Sequence, residues 1–199
     1  EINSREGNGC REAVLTGTQL GTYGFDIPGI NLSGLLRRVL AETSIDRLRV
    51  SSLQAQEITP ELLELWDDPR PCPHFHIPLQ SGSDTTLKAM RRRYDTARFA
   101  ETVELVREKI PGAGITTDII VGFPGETEED FEQTISLCRE VEFDNAFLFK
   151  YSQRRDTPAV AMPDQIPETI IQECHARLLK EIDAIRKRKL CEYIGTQME

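Results

Sequence analysis

Apolar residues along this chain alternate between two spacings. Short runs rich in β-branched residues give way to stretches in which apolar positions recur every three or four residues, and the pair repeats. Residues 13–16, 47–50, 75–79, 115–121 and 145–151 read as strands. Residues 32–40, 84–90 and 95–109 read as helices; Leu32, Leu35, Leu36, Val39 and Leu40 form the apolar face of the first. Thr59 followed by Pro60 marks a further helix start. Thr127 and Asp130 suggest a capping box for a helix through Val141. Pro167 opens a long last helix, with Ile171, Cys174, Leu178, Ile182 and Ile185 on one side. Five strands alternating with helices imply an α/β fold with one parallel sheet and right-handed crossovers. The pattern alone does not separate an open sheet from a partial barrel.

Each strand runs into a polar cluster: Thr16-Gly-Thr-Gln-Leu-Gly21, Ser51-Ser-Leu-Gln54, Gln80-Ser-Gly-Ser83, Gly122-Phe-Pro-Gly-Glu126 and Tyr151-Ser-Gln-Arg154. In a parallel α/β fold these loops converge at the ligand-binding end. Asp118 is the one charge in the strand at 115–121, and a carboxylate there is costly unless it is paired or hydrogen-bonded. Alternation puts His74, His76, Pro78 and Gln80 on one face, and Thr116, Asp118 and Ile120 on one face of their own strand. Amides and carboxylates suit ribose hydroxyls, because a carboxylate accepts two hydroxyl protons. Arg91-Arg-Arg93 follows a helix and offers a guanidinium for a carboxylate.

Composition narrows this picture. At 199 residues and a net charge of −9, bulk electrostatic binding of nucleic acid is disfavoured, although a local basic rim at Arg91, Arg93, Arg154 and Arg155 is not. No run of about 18 apolar residues is present, so no membrane partner is expected. No secretory signal is seen, and the five dispersed cysteines suggest reduced thiols and a cytoplasmic location. None is spaced for zinc or an iron–sulfur motif. His74 and His76 with Cys72 read more readily as packed histidines than as metal ligands. Arg186-Lys-Arg-Lys189 suits a helix C-terminus. The chain opens at Glu1 without a methionine and reads as part of something longer.

Taken in order, four motifs resemble the radical S-adenosylmethionine (SAM) enzymes of the tRNA methylthiotransferase branch. They are His76-Ile-Pro-Leu-Gln-Ser-Gly-Ser83; Leu87, Met90, Arg92 and Tyr94; Thr117 through Phe131; and Tyr151-Ser with Arg154, Thr157, Pro158 and Ala159. The resemblance implies a partial (β/α)6 TIM-like barrel, of which this chain is the last five βα units with a long C-terminal helix. It places a radical SAM core at 1–190 and a linker toward an RNA-binding TRAM domain at 191–199. It also implies that the first strand, the Cys-x-x-x-Cys-x-x-Cys loop and a second cluster domain lie outside this chain. The cofactors would be SAM and [4Fe–4S] clusters whose ligands are elsewhere, so no cysteine here is a ligand and the stretch alone should be inactive.

By the same resemblance, Gln80 and Asp118 lie where related enzymes contact the SAM ribose, with Ser81 in the same turn. Arg92 lies where they hold its carboxylate. Thr16, Gly17, Thr18 and Gln19 lie at the loop that meets its amino group. Gly122, Pro124, Gly125 and Glu126 order a loop, and Tyr151 and Arg154 face substrate. The partners implied are tRNA, an electron donor and a sulfur source. The reaction implied is transfer of a methylthio group to C2 of a modified adenosine. Arg49-Val-Ser-Ser-Leu and His76-Ile-Pro-Leu look most like enzymes acting on N6-threonylcarbamoyladenosine at position 37, which is the expected substrate. Phe143-Asp-Asn-Ala-Phe and Met162-Pro-Asp-Gln165 look like those acting on N6-isopentenyladenosine, the alternative, and Gln54-Ala55 stands where the first group has Glu-Pro. The rival class is a non-radical (β/α) barrel that uses Gly122 to Glu126 for a phosphate.

Overall fold

All five expected strands are present. The computed structural model describes residues 1–196 and contains, among them, β1 (Glu12–Leu15), β2 (Arg47–Val50), β3 (His74–His76), β4 (Gly114–Val121) and β5 (Asn145–Lys150). The helices are α1 (Ile2–Glu6), α2 (Leu32–Glu42), α3 (Pro60–Leu63), α4 (Asp84–Ala89), α5 (Thr96–Lys109), α6 (Glu128–Val141) and α7 (Glu168–Glu192). The α1 turn was not expected; it buries no residue and so has no apolar periodicity to read. The expected start of a linker at 191 falls inside α7, and its last residues, 197–199, lie outside the described residues.

Side chains fix the helix starts. Asn31 Oδ1 accepts the Gly34 N–H at 2.8 Å, and Thr59 Oγ1 accepts the Leu62 N–H at 3.2 Å with Pro60 in the first turn. Each satisfies a donor that the helix itself cannot. No helix among the described residues is long and apolar enough to cross a membrane.

The chain divides into two compact units, residues 1–78 with 101–115, and residues 79–100 with 116–199. In the first, β1 and β2 pair in parallel from Glu12 with Arg47 to Leu15 with Val50. The ladder beyond β2 is only an isolated bridge, Leu48 with Pro71, and a bond from Leu53 N–H to the His76 carbonyl at 3.0 Å. The expected continuous sheet is therefore interrupted here. Pro71, Pro73 and Pro78 flank β3, and a proline has no N–H to give a ladder. The same prolines shorten β3 from the expected five residues to three. Arg70 closes α2 by donating from Nη2 to Leu40 O (2.7 Å) and from Nη1 to Thr43 O (2.8 Å).

In the second unit β4 and β5 pair in parallel, Thr116 with Asn145 through Val121 with Lys150. Residues Ile115, Thr117, Ile119 and Val121 are buried, whereas Thr116, Asp118 and Ile120 are only half-buried, so β4 presents two different faces. The buried stripe of α7 is Ile171, Cys174, Leu178, Ile182 and Ile185, as the periodicity required, and it packs with α6. Fully burying such a side chain contributes about 1.5–3 kcal/mol. Phe99 and Phe143 meet edge-on at 6.0 Å beneath.

Candidate active site

The second unit contains a cavity of about 760 Å³. The backbone that leads into its inner wall is anchored at Leu79, which is itself fully buried behind the lining. The Leu79 N–H donates to Thr117 Oγ1 (2.9 Å), and its carbonyl accepts from the Tyr94 hydroxyl (3.1 Å). Burial pushes the Tyr94 hydroxyl up to about 12; Arg92 opposes that shift and Asp118 adds to it. Gln80 then adopts φ +68°, an uncommon value for a non-glycine residue. Its backbone joins β4 through Gln80 N–H to Asp118 O (2.7 Å) and Ile120 N–H to Gln80 O (2.9 Å). With the backbone engaged, the Gln80 side chain lines the cavity beside Asp118 and Ile120.

Arg92 arrives from a different element. Helix α4 ends through Arg91 at φ +57°, and the Arg92 N–H donates back to Leu87 O at 2.9 Å. Its side chain lines the cavity, and its Nε is buried with no hydrogen-bond partner in the protein. A buried guanidinium donor without an acceptor is costly, so the site calls for an anionic or carbonyl oxygen there. The Tyr151 hydroxyl is in the same condition; it too is buried, unpartnered and at the cavity. Its ring is fixed edge-on against Phe123 at 5.5 Å, and its N–H donates to Val121 O at 2.8 Å.

The turn after β4 is built to stay still. Gly122 has φ +79°, and a Cβ there would stand 2.4 Å from Ile171 Cγ1. The Gly122 N–H donates to Glu126 Oε2 at 2.6 Å. Burial is the main reason the Glu126 carboxyl rises from 4.5 to about 7, against the lowering effect of that bond. Four residues on, Asp130 does the opposite. Burial pulls it upward, but donors from Ser83 Oγ (2.6 Å), Thr127 Oγ1 (2.6 Å) and Thr127 N–H (2.9 Å) outweigh burial and hold it below the ordinary range. The capping box expected from Thr127 and Asp130 is formed.

Gln80, Arg92, Asp118, Tyr151 and Arg154 are thus brought to one cavity, with Arg91 beside them. Ser81 is not; it is fully buried, with its Oγ 3.4 Å from Thr134 Oγ1 on α6. Gly122, Pro124, Gly125 and Glu126 shape the turn without lining the cavity, as do Ser83 and Asp130. Arg93 and Arg155 are exposed and lie off its lining. Thr16, Gly17, Thr18 and Gln19 follow β1 in the first unit, exposed, with the Gln19 carbonyl accepting from Thr22. Sequence reasoning did not single out Met90, Phe149 or Met162 as lining residues. Phe149 was within reach of it, since it sits opposite Ile120 in parallel register and shares the face of Asp118. Among the described residues no group of three or more His, Cys, Asp or Glu side chains is placed to hold a metal ion, and all five cysteines are free thiols.

Comparison with known proteins bears on this geometry. The model of the radical SAM superfamily matches residues 20–138. The tRNA-2-methylthio-N(6)-dimethylallyladenosine synthases of Caldicellulosiruptor saccharolyticus and Corynebacterium urealyticum are each 41% identical, over 201 and 207 residues. Those matches take in all of this chain but 43% and 38% of the relatives, so the chain spans about two fifths of their length. Among solved structures, coproporphyrinogen III oxidase from Escherichia coli, a radical SAM enzyme, aligns with TM-score 0.59 at 20% identity over 75% of this chain and 36% of its own. SuiB of Streptococcus suis bound to S-adenosylmethionine aligns with TM-score 0.56 at 15% identity over 94% of this chain and 38% of its own. The fold is that of these enzymes, with parallel strands and intervening helices, and the family model covers more than half of the residues: the chain belongs to the radical SAM superfamily.

Proposed function

We propose that this chain forms the SAM-binding part of a tRNA methylthiotransferase acting on N6-dimethylallyladenosine. The observation that carries the reading is the cavity itself. A carboxylate on a strand, an amide on a strained turn and a guanidinium with a buried unpartnered Nε converge there. Asp118 suits two ribose hydroxyls, and Gln80 serves either as donor or acceptor beside it. Arg92 Nε finds in the carboxylate of a bound amino acid the acceptor that the protein lacks. The residues present therefore fit SAM. When bound, SAM with a reduced iron–sulfur cluster supplies the radical chemistry. The described residues of this chain contain no ligand set for such a cluster, so their part is to bind and orient SAM and to exclude water around it.

Support for this substrate comes from the relatives, both named as dimethylallyladenosine synthases. The expectation of threonylcarbamoyladenosine from Arg49-Val-Ser-Ser-Leu and His76-Ile-Pro-Leu is not supported by them, and the isopentenyl alternative fits better. The cavity agrees in character, because Phe123, Phe149, Pro158, Ala159 and Met162 line it and suit an apolar arm. tRNA as partner, the electron donor, the sulfur source and a cytoplasmic location belong to this same proposal.

The test uses the full-length enzyme with SAM, a reductant and a sulfur source. It is given stem-loop RNAs bearing dimethylallyladenosine or threonylcarbamoyladenosine, and the nucleosides are analysed by mass spectrometry. Methylthiolation of the first RNA alone is expected. Product on the second RNA alone would reverse the substrate assignment, and product on neither would remove the proposed activity.

A further inference from the structure

The outer wall of the cavity depends on one side chain that does not line it. After β5 the chain crosses residues 153–165 with a single 3-10 turn, Pro158–Ala161. Thr157, Pro158, Ala159 and Met162 from this segment line the cavity. Its own backbone bonds are long and local: Thr157 N–H to Arg154 O at 3.3 Å, Val160 N–H to Thr157 O at 3.2 Å and Met162 N–H to Ala159 O at 3.3 Å. Gln165 lies outside the cavity and is exposed. Yet its Nε2 donates to both Ala159 O and Met162 O, each at 3.0 Å, and its Oε1 accepts from Gln153 Nε2 at 3.2 Å. Both amide hydrogens and the amide oxygen are engaged. The reverse orientation would set an oxygen against two carbonyls, so the network fixes the amide one way round.

The ends of the segment support the same view. Asp156 at φ +65° and Asp164 at φ +60° hold left-handed backbone values, and the Asp164 carbonyl accepts the Gly125 N–H at 3.0 Å. One end of the wall is thereby tied to the rigid turn after β4. The middle, where Ala159 and Met162 meet the cavity, is tied by Gln165.

We infer that Gln165 is a positioning residue that pins residues 153–162 as a fixed wall, and that this wall selects the apolar arm of the substrate base. The selectivity part rests on the dimethylallyl reading above. Gln165→Met keeps the side-chain bulk and removes all three bonds, whereas Gln153→Ala removes only the third and leaves the wall pinned.

Two measurements on the full-length enzyme test it. The first is the rate of trypsin cleavage after the exposed Arg154, which reports opening of the segment without any substrate. Gln165→Met should raise it about tenfold, and Gln153→Ala should leave it near wild type. An unchanged rate in Gln165→Met overturns the inference. The second is the ratio of dissociation constants for a stem-loop RNA with plain adenosine against one with dimethylallyladenosine. Gln165→Met should shrink that ratio by about tenfold, a loss of discrimination that general destabilisation would not produce. A ratio kept at the wild-type value overturns the selectivity role. A wild-type enzyme that modifies neither RNA would defeat the functional reading, and the cleavage rates would then decide the role of Gln165 alone.

Discussion

The turn leaving β4 and the segment leaving β5 border one cavity but are held by different means. In the first, Gly122, Phe123 and Pro124 are buried, Gly122 packs against Ile171, and Glu126 and Asp130 lock the backbone with bonds of 2.6–2.9 Å. In the second, residues 152–158 are all exposed and the local backbone bonds reach 3.3 Å. The inner wall is part of the hydrophobic core, so its geometry is inherited from folding and its polar groups need little ordering on binding. The outer wall is nearly independent of the core. Its residues can change the shape of the cavity without a large cost in stability.

Substitutions can break that contrast or sharpen it. Gly122→Ala should be the most damaging. It combines a left-handed backbone with a methyl group placed against Ile171, and a loss of about 2–4 kcal/mol is expected in urea unfolding. A loss near zero would mean that the turn is not held by the core. Ser83→Ala removes a donor from buried Asp130 and the N-cap of α4, and about 1–3 kcal/mol should go.

Glu126→Gln should sharpen the contrast through pH. The folded carboxyl lies at about 7 against 4.5 ordinarily, so the folded state binds the proton more tightly. The contribution of Glu126 to stability is therefore fullest below pH 4.5 and is lost as pH rises through about 7. Glutamine still accepts from Gly122 but never ionises, and its stability curve should be flatter by on the order of 1 kcal/mol across that window. A steeper curve in the variant would contradict the assignment. Gln153→Ala, in the outer wall, should change stability by no more than about 0.5 kcal/mol in the same urea experiment; a larger loss would erase the distinction between the walls.

How much of this was legible in the sequence depended on whether a residue's role was local. Thr127 and Asp130 announced their capping box by spacing, and the α7 stripe from Ile171 to Ile185 announced its buried face by period. Gln80, Arg92 and Asp118 were found by motif and by strand face, and all three line the cavity. Ser81 was grouped with Gln80 because they are neighbours. The left-handed backbone at Gln80 separates them, sending Ser81 toward Thr134. The break in the sheet at β3 was also visible in principle, since Pro71, Pro73 and Pro78 were plain in the chain, but β-branched and aromatic neighbours masked them. Gln165 could not be read at all, because its three partners are set by the path of an irregular segment and no period records that path.

The central claim is that the cavity holds SAM through Asp118, Gln80 and Arg92. Isothermal titration of SAM into the full-length, cluster-loaded protein tests it most directly, comparing wild type with Asp118→Ala and using circular dichroism to establish that both are folded. Removing the carboxylate should weaken SAM binding by about 1–3 kcal/mol, roughly 5- to 150-fold in dissociation constant. An affinity unchanged in the folded variant would contradict the claim.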